Sequence, residues 1–102
     1  MNRRDPDDAF RIIKRRVRDN AFRYTDDAFA RMVDRFLYEE DVKRAFSTAH
    51  LDGLLEDEKG RIVYALSGFG MNEETLLVLC RMARSQVVVL DVDRAPRLPE
   101  VP

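Results

Sequence analysis

The order of secondary structure is decided by residues 51–69, which read LDGLLEDEKGRIVYALSGF. Before Leu51 the apolar residues recur every three or four positions, as in an amphipathic helix. From Leu51 onward they recur about every second position, as in a strand. The segment Glu58–Gly60 has the composition of a hairpin turn, and its glycine suits a positive φ. We therefore predict two antiparallel strands, Leu51–Asp57 and Arg61–Phe69, preceded by helices.

Two more strands are predicted toward the carboxyl end of the chain. The segment Thr75–Arg84 is apolar on both faces at residues 76–80, which places it in the centre of a sheet, and Val87–Val92 follows it. The short connections favour an antiparallel meander, and we assign Gly68 to the turn before the third strand. Residues 74–84 also suit a helix, and this alternative stays open.

Three helices are predicted before the strands. Asp5 and Pro6 are typical of a helix start, and the first helix covers residues 6–19. Thr25 is a suitable cap for a second helix, and the acidic Glu39 starts a third, shorter one. The second helix has an apolar stripe that we expect to face the core. The stripe consists of Phe29, Met32, Val33, Phe36 and Leu37.

These patterns predict an α+β fold with three N-terminal helices followed by a four-stranded antiparallel meander sheet, the helices packed on one face. Residues 1–23 form a basic amphipathic helix as an extension, residues 24–94 form a single α+β domain, and residues 95–102 form a proline-rich flexible tail.

The charges are numerous and almost balanced. The 102 residues include 18 basic and 19 acidic side chains, for a net charge of −1. The whole chain therefore lacks the basic excess of proteins that hold nucleic acid by bulk electrostatics. Residues 9–23 are the exception, with six basic groups and one acid. These residues form either a plain solvated helix face or a surface that binds nucleic acid or a protein partner, and we name the second as the candidate binding site. Its residues are Arg11, Lys14, Arg15, Arg18 and Arg23.

The cysteine and histidine content limits metal chemistry. A single cysteine, Cys80, excludes an intrachain disulfide, and a single histidine, His50, excludes a multi-histidine site. We place His50 at the end of the third helix. The acids of residues 52–58 are expected to divide between two strand faces, so we predict no metal site and no cofactor. The polar start of the chain and its short apolar runs predict a cytoplasmic protein that does not enter a membrane.

The stretch Tyr24–Val92 contains a series of short motifs. They are Tyr24-Thr25, Ala28, Arg31-Met32, Arg35, Glu40-Asp41-Val42, Gly53-Leu54-Leu55-Glu56, Leu77-Val78-Leu79-Cys80 and Val87-Val88-Val89-Leu90. Together they resemble a family of small bacterial proteins, domain of unknown function 4258. That family looks like the BrnT and RelE group of ribonuclease toxins. The resemblance implies helices packed on an antiparallel sheet and an RNA-cleaving ancestry.

Three positions depart from the family pattern. Asp27 stands where the family has a histidine, Phe36 where a glycine is usual, and Tyr38 where Ser or Thr caps the third helix. Loss of the histidine removes the expected general acid and base for RNA cleavage. The weak catalytic candidates that remain are Tyr24, Arg31 and Arg35.

Each candidate also has a purely structural interpretation. Arg31 and Arg35 form either a phosphate clamp or an ion-pair ladder on a solvated helix face, and Tyr24 either contacts RNA or seals the edge of the core. The function we predict is a non-catalytic interaction module, derived from a toxin-like fold, that binds a protein partner or itself. The alternative is an RNA-binding protein or a metal-independent endoribonuclease that uses Arg31, Arg35 and the basic face of the first helix.

Overall fold

The computed structural model describes residues 5–95 of the chain. Its elements are α1 (Pro6–Arg18), β1 (Phe22–Tyr24), α2 (Asp26–Asp34), α3 (Glu39–Thr48), β2 (His50–Glu56), β3 (Ile62–Phe69), β4 (Thr75–Met82) and β5 (Val87–Arg94). Residues 74–84 therefore hold a strand, β4, and not the alternative helix. The predicted tail, residues 95–102, lies outside the described residues except for Ala95.

The sheet has five strands in the order β1-β5-β4-β3-β2. The strands β2, β3, β4 and β5 pair antiparallel with their successive neighbours. The predicted four-stranded antiparallel meander is nevertheless wrong, because β1 adds a fifth strand that runs parallel to β5. The fold is α+β with three helices and a mixed sheet.

The strand β1 was missed because it is short and its partner is distant in sequence. Phe22, Arg23 and Tyr24 pair with Val87–Val89, and three residues are too few to show an alternating pattern. The chain reaches this position through a turn at Asn20, which has a φ of 62°. Such a parallel edge strand is stabilised by pairing with a segment that is distant in sequence, and no local pattern indicates that pairing.

The predicted helix starts are supported by capping hydrogen bonds. The Asp5 carboxylate accepts from the backbone N–H of Asp7 at 2.8 Å, and the Thr25 hydroxyl accepts from that of Ala28 at 3.0 Å. Caps of this type satisfy backbone donors that the helix itself leaves free. Local sequence therefore determines where α1 and α2 begin.

Asp41 is a buried carboxylate that joins two elements. It accepts from the backbone N–H of Tyr38 at 3.0 Å, at the start of α3, and from that of Met71 at 2.9 Å, in the turn between β3 and β4. Both of its oxygens are thus used, which offsets the cost of burying a charge.

The hydrophobic core lies between the sheet and the three helices, and Met32 is the contribution of α2. Its largest fully buried side chains include Ile13, Val17, Val42, Phe46, Leu66, Leu76, Val78, Val87, Val89 and Val92. The helix α3 approaches β3 most closely at Gly68, where an added Cβ would lie 2.0 Å from the carbonyl oxygen of Ala45. The assignment of Gly68 to a turn is therefore wrong. This glycine lies inside β3 and permits helix–sheet contact.

The predicted buried stripe of α2 is only partly correct. Met32 and Leu37 are buried, but Phe29, Val33 and Phe36 are exposed. The reason is the position of α2, which contacts β5 and the short β1 through its Ala28 and Met32 side and not through the centre of its apolar stripe.

Candidate functional site

Four of the five predicted binding residues meet in one groove, of about 530 Å³, between α1 and α3. The groove residues are Arg11, Lys14, Arg15, Val17 and Arg18 from α1 and Lys43, Phe46 and Ser47 from α3. Five of these side chains are cationic and none is a carboxylate. We call this feature the cationic groove.

The groove follows from the amphipathic pattern of α1. Ala9, Ile13 and Val17 face the core, so the cations at intervening positions lie on the part of α1 that solvent reaches, beside α3. Phe46 forms part of the floor but is only 1% exposed. The apolar walls are therefore mostly the aliphatic stems of arginine and lysine, whose charged ends remain in water.

The cations of the groove are only weakly neutralised within the chain. Arg11 and Arg18 each pair with an exposed neighbouring aspartate, at 3.9 and 3.8 Å. The Lys14 ammonium lies 5.2 Å from the centre of the Phe10 ring. Exposed ion pairs contribute about 0–1 kcal/mol, so these cations remain available to an incoming anion.

The fifth predicted binding residue, Arg23, lies elsewhere. In β1 it pairs with Val88 of β5, which pairs in turn with Arg81 of β4. The Nε atom of Arg81 is buried and has no hydrogen-bond partner within residues 5–95. Burial lowers the pKa of Arg81, and the nearby charges of Arg61 and Arg23 lower it further. The structure therefore separates Arg23 from the cationic groove.

The two arginines of the proposed phosphate clamp contact β5. Arg31 Nη1 lies 3.7 Å and Arg35 Nη1 lies 2.9 Å from the Asp91 carboxylate. Arg35 also donates to the carbonyl oxygen of Val92 at 2.6 Å. These contacts attach α2 to the sheet beyond the end of β1. They match neither a clamp open to substrate nor an ion-pair ladder within one helix.

Tyr24 is partly buried against the core, and its hydroxyl is not accessible to a substrate. Its ring packs edge-on against Phe22 at 5.6 Å, and its hydroxyl is buried without a hydrogen-bond partner in the described part of the chain. Burial raises the pKa of Tyr24, and the negative charges of Glu39 and Glu40 raise it further. A phenol in this setting is a poor proton donor.

Asp27 and His50 are the two positions at which an acid–base group for RNA cleavage was considered. Both are exposed, and neither lines the cationic groove. Asp27, which replaces the histidine of the resembling family, lies in the first turn of α2. His50 begins β2 and pairs with Ser67 of β3, so its predicted place at the end of the third helix is wrong. The position of His50 is set by the pairing of β2 with β3 and not by the end of α3.

Sequence reasoning missed one exposed surface. Phe29, Val33 and Phe36 are 58%, 58% and 74% exposed. Phe29 and Val33 lie one turn apart on α2, and Phe36 lies in the turn that follows the helix. We call this feature the α2 apolar surface. Monomeric soluble proteins rarely leave several large apolar side chains together in water unless they bind something. The sequence shows the spacing of the apolar stripe, but it does not show which face of α2 is buried.

Phe36 has an unusual backbone conformation for its residue type. Its φ is 55°, and its N–H donates to the carbonyl oxygen of Val33 while that of Leu37 donates to Met32. This is the hydrogen-bond pattern of a helix end that normally has glycine at the left-handed position. Here a phenylalanine occupies that position, with most of its side chain exposed.

Comparisons with known proteins add no further assignment. No protein-family model, curated protein or solved structure matches the chain. Within residues 5–95, no group of three acidic, histidine or cysteine side chains is arranged to hold a metal ion. No helix in this part of the chain is both long and apolar enough to cross a bilayer. The resemblance to the toxin-like family stays a prediction.

Proposed function

We propose that this protein is a non-catalytic interaction module whose cationic groove binds an acidic segment of a protein. One observation carries the proposal. Five cations and no carboxylate line a single groove between two helices. A cytoplasmic setting and descent from a toxin-like fold belong to the same proposal.

The groove has the chemistry that an acidic amphipathic segment requires. Its cations attract carboxylates, and arginine can bind them through two parallel hydrogen bonds. The aliphatic stems of the same residues provide an apolar surface for the other side of the segment. Because the cations are partly or fully exposed, they raise the association rate and the specificity more than the affinity.

A protein ligand is favoured over RNA by the absence of a stacking platform on the groove. Single-stranded RNA is held largely by aromatic rings on which bases stack. The aromatic residue that lines the groove is Phe46, which is almost completely buried.

The alternative function, an endoribonuclease, receives less support from the geometry. Arg31 and Arg35 are engaged by Asp91, and the Tyr24 hydroxyl is buried. The groove does favour one part of this alternative, which is RNA binding, because its three arginines can hold phosphate groups. It is therefore included as an outcome of the test.

The test compares two labelled probes on the full chain. One is a helical peptide about four turns long, with leucine on one face and glutamate elsewhere. The other is a single-stranded RNA. We expect the peptide to bind at about 50 mM NaCl and to bind less tightly at about 300 mM. The variant Arg15→Glu/Lys43→Glu is expected to weaken peptide binding at least about tenfold.

The matched control is Arg84→Glu/Lys59→Glu. Both residues are exposed and lie outside the groove, and the substitutions make the same change in net charge. This control should bind the peptide nearly as well as the original chain does. Equal peptide binding by the groove variant would refute the proposal. RNA binding that is tighter than peptide binding and is lost in the groove variant would replace it with the RNA alternative.

A further inference from the structure

The α2 apolar surface has an acidic rim. Asp27 and Asp34 lie seven residues apart on one flank of α2, and Asp26 lies one turn before Phe29. All three are exposed, and none has an ion-pair partner among residues 5–95. The surface thus combines exposed aromatic side chains with unpaired carboxylates, which is the chemistry expected of a ligand for the cationic groove.

The two surfaces also agree in length. The groove extends along α1 from Arg11 to Arg18, and the α2 apolar surface extends from Phe29 to Phe36. Each covers eight residues. The α1 segment is about 10 Å of helix, and the other consists of helix up to Asp34 followed by the turn that holds Phe36. No residue of α2 lines the groove, so one chain can offer both surfaces at the same time.

Symmetric pairing of two α2 apolar surfaces is disfavoured by charge. A two-fold contact brings each surface against its own copy, and the acidic rim formed by Asp26, Asp27 and Asp34 would then meet itself. Like charges at such a contact oppose binding. A cationic partner surface removes this repulsion, and the cationic groove is such a surface on the same chain.

We infer that the acidic segment bound by the cationic groove is the α2 apolar surface of a second copy of this chain. This inference rests on the proposed function of the groove. Carboxylates of Asp27 and Asp34 from one copy would pair with cations such as Arg15 and Lys43 of the next. The exposed rings of Phe29 and Phe36 would lie on the aliphatic walls.

Such a contact joins two different surfaces, so a dimer still has one free groove on one copy and one free α2 apolar surface on the other. Association of this type continues head to tail and produces chains or closed rings. Because the contact is small and rich in exposed charge, it is expected to be weak and sensitive to salt. Assembly should therefore increase with protein concentration.

The experiment is sedimentation velocity on the full chain, from about 10 μM to about 1 mM protein. At about 50 mM NaCl we expect the average mass to rise with concentration beyond that of a dimer, and at about 500 mM NaCl the rise should largely disappear. The groove variant is Arg15→Glu/Lys43→Glu, and the α2 variant is Phe29→Lys/Val33→Lys. Each should weaken self-association at least about tenfold.

Mixing the two variants gives the decisive result. The groove variant retains its α2 apolar surface and the α2 variant retains its groove, so an equal mixture should form a 1:1 dimer and nothing larger. Circular dichroism checks that both variants are folded. The control Arg84→Glu/Lys59→Glu should assemble as the original chain does.

The remaining outcomes overturn the inference in different ways. A chain that stays monomeric at low salt, but whose groove still binds the acidic peptide, refutes self-assembly and leaves the proposed function in place. Assembly that is lost in the α2 variant but kept in the groove variant indicates a symmetric α2 contact instead. If the original chain does not bind the acidic peptide, both proposals are overturned.

Discussion

The guanidinium group of Arg35 lies 2.9 Å from the carboxylate of Asp91 and attaches α2 to β5. The same group donates to the carbonyl oxygen of Val92 at 2.6 Å. Since β1 ends at Tyr24, this part of β5 has no strand beside it on that edge, and an arginine side chain supplies the hydrogen bond instead. An arginine that the sequence offered only as a weak catalytic candidate therefore contacts the sheet.

The contact between Arg35 and Asp91 predicts that substitutions at Arg35 and Arg31 change the free energy of unfolding by different amounts. Arg35→Met should lower the free energy of unfolding by about 1–3 kcal/mol, because it removes the donor that serves both the partly buried Asp91 carboxylate and the Val92 carbonyl. Arg31→Met should cost less than about 0.5 kcal/mol, because its ion pair is longer and more exposed. Urea unfolding of both variants measures the difference. Equal losses, or a loss of activity on RNA without a loss of stability, would contradict the structural assignment.

Replacement of Phe36 by glycine should stabilise the fold. At a φ of 55° a residue with a Cβ is strained and glycine is not, and the exposed ring forms few contacts. We expect the free energy of unfolding to rise by about 0.5–1 kcal/mol. The matched control is Glu73→Gly, at a φ of 59° in an exposed turn.

Both glycine variants should gain stability, but only Phe36→Gly should weaken self-association, because only Phe36 belongs to the α2 apolar surface. Thermal unfolding and sedimentation of the two variants separate the two effects. A Phe36→Gly variant that is clearly less stable than the original chain would show that the ring packs within the monomer.

The close contact between α3 and β3 predicts a strong effect at Gly68. Gly68→Ala places a Cβ 2.0 Å from the carbonyl oxygen of Ala45, so α3 must move away from the sheet. We expect a loss of more than about 2 kcal/mol in the free energy of unfolding. Gly53→Ala is the control, since an added Cβ there meets no atom within 4 Å. It should change stability by less than about 0.5 kcal/mol.

The buried thiol of Cys80 predicts a loss of stability at alkaline pH. Burial raises the pKa of Cys80 to about 12, whereas an unfolded cysteine ionises near pH 8.5. Above that pH the unfolded state releases a proton that the folded state retains, so the free energy of unfolding falls as the pH rises. Burial raises the pKa of Tyr24 as well, which adds to the fall above about pH 10.

Cys80→Ala isolates the contribution of the thiol. Between about pH 9 and pH 10.5 the original chain should lose about 2 kcal/mol more than this variant loses. Urea unfolding at the two pH values measures the difference. The native thiol should also resist a thiol-specific reagent until the chain unfolds. Rapid labelling of the folded chain would contradict its complete burial.

The features that the sequence alone determined are those that depend on neighbouring residues. Asp5 and Thr25 cap the helices that they were expected to cap, and the change of apolar period near Leu51 separates helices from strands. The face of α1 that presents Arg11 and Arg15 also follows from local spacing. Each of these results depends on backbone geometry over one or two turns, which the local sequence specifies.

Only the tertiary structure decided the features that join distant segments. The pairing of β1 with Val87–Val89 made the sheet mixed and carried Arg23 away from the groove. The attachment of Arg35 to Asp91 set the buried side of α2 and left Phe29 and Phe36 in solvent. The groove itself needs Lys43 from a second helix. Such contacts compete with one another across the whole core, so the packed chain and not any local pattern determines which of them form.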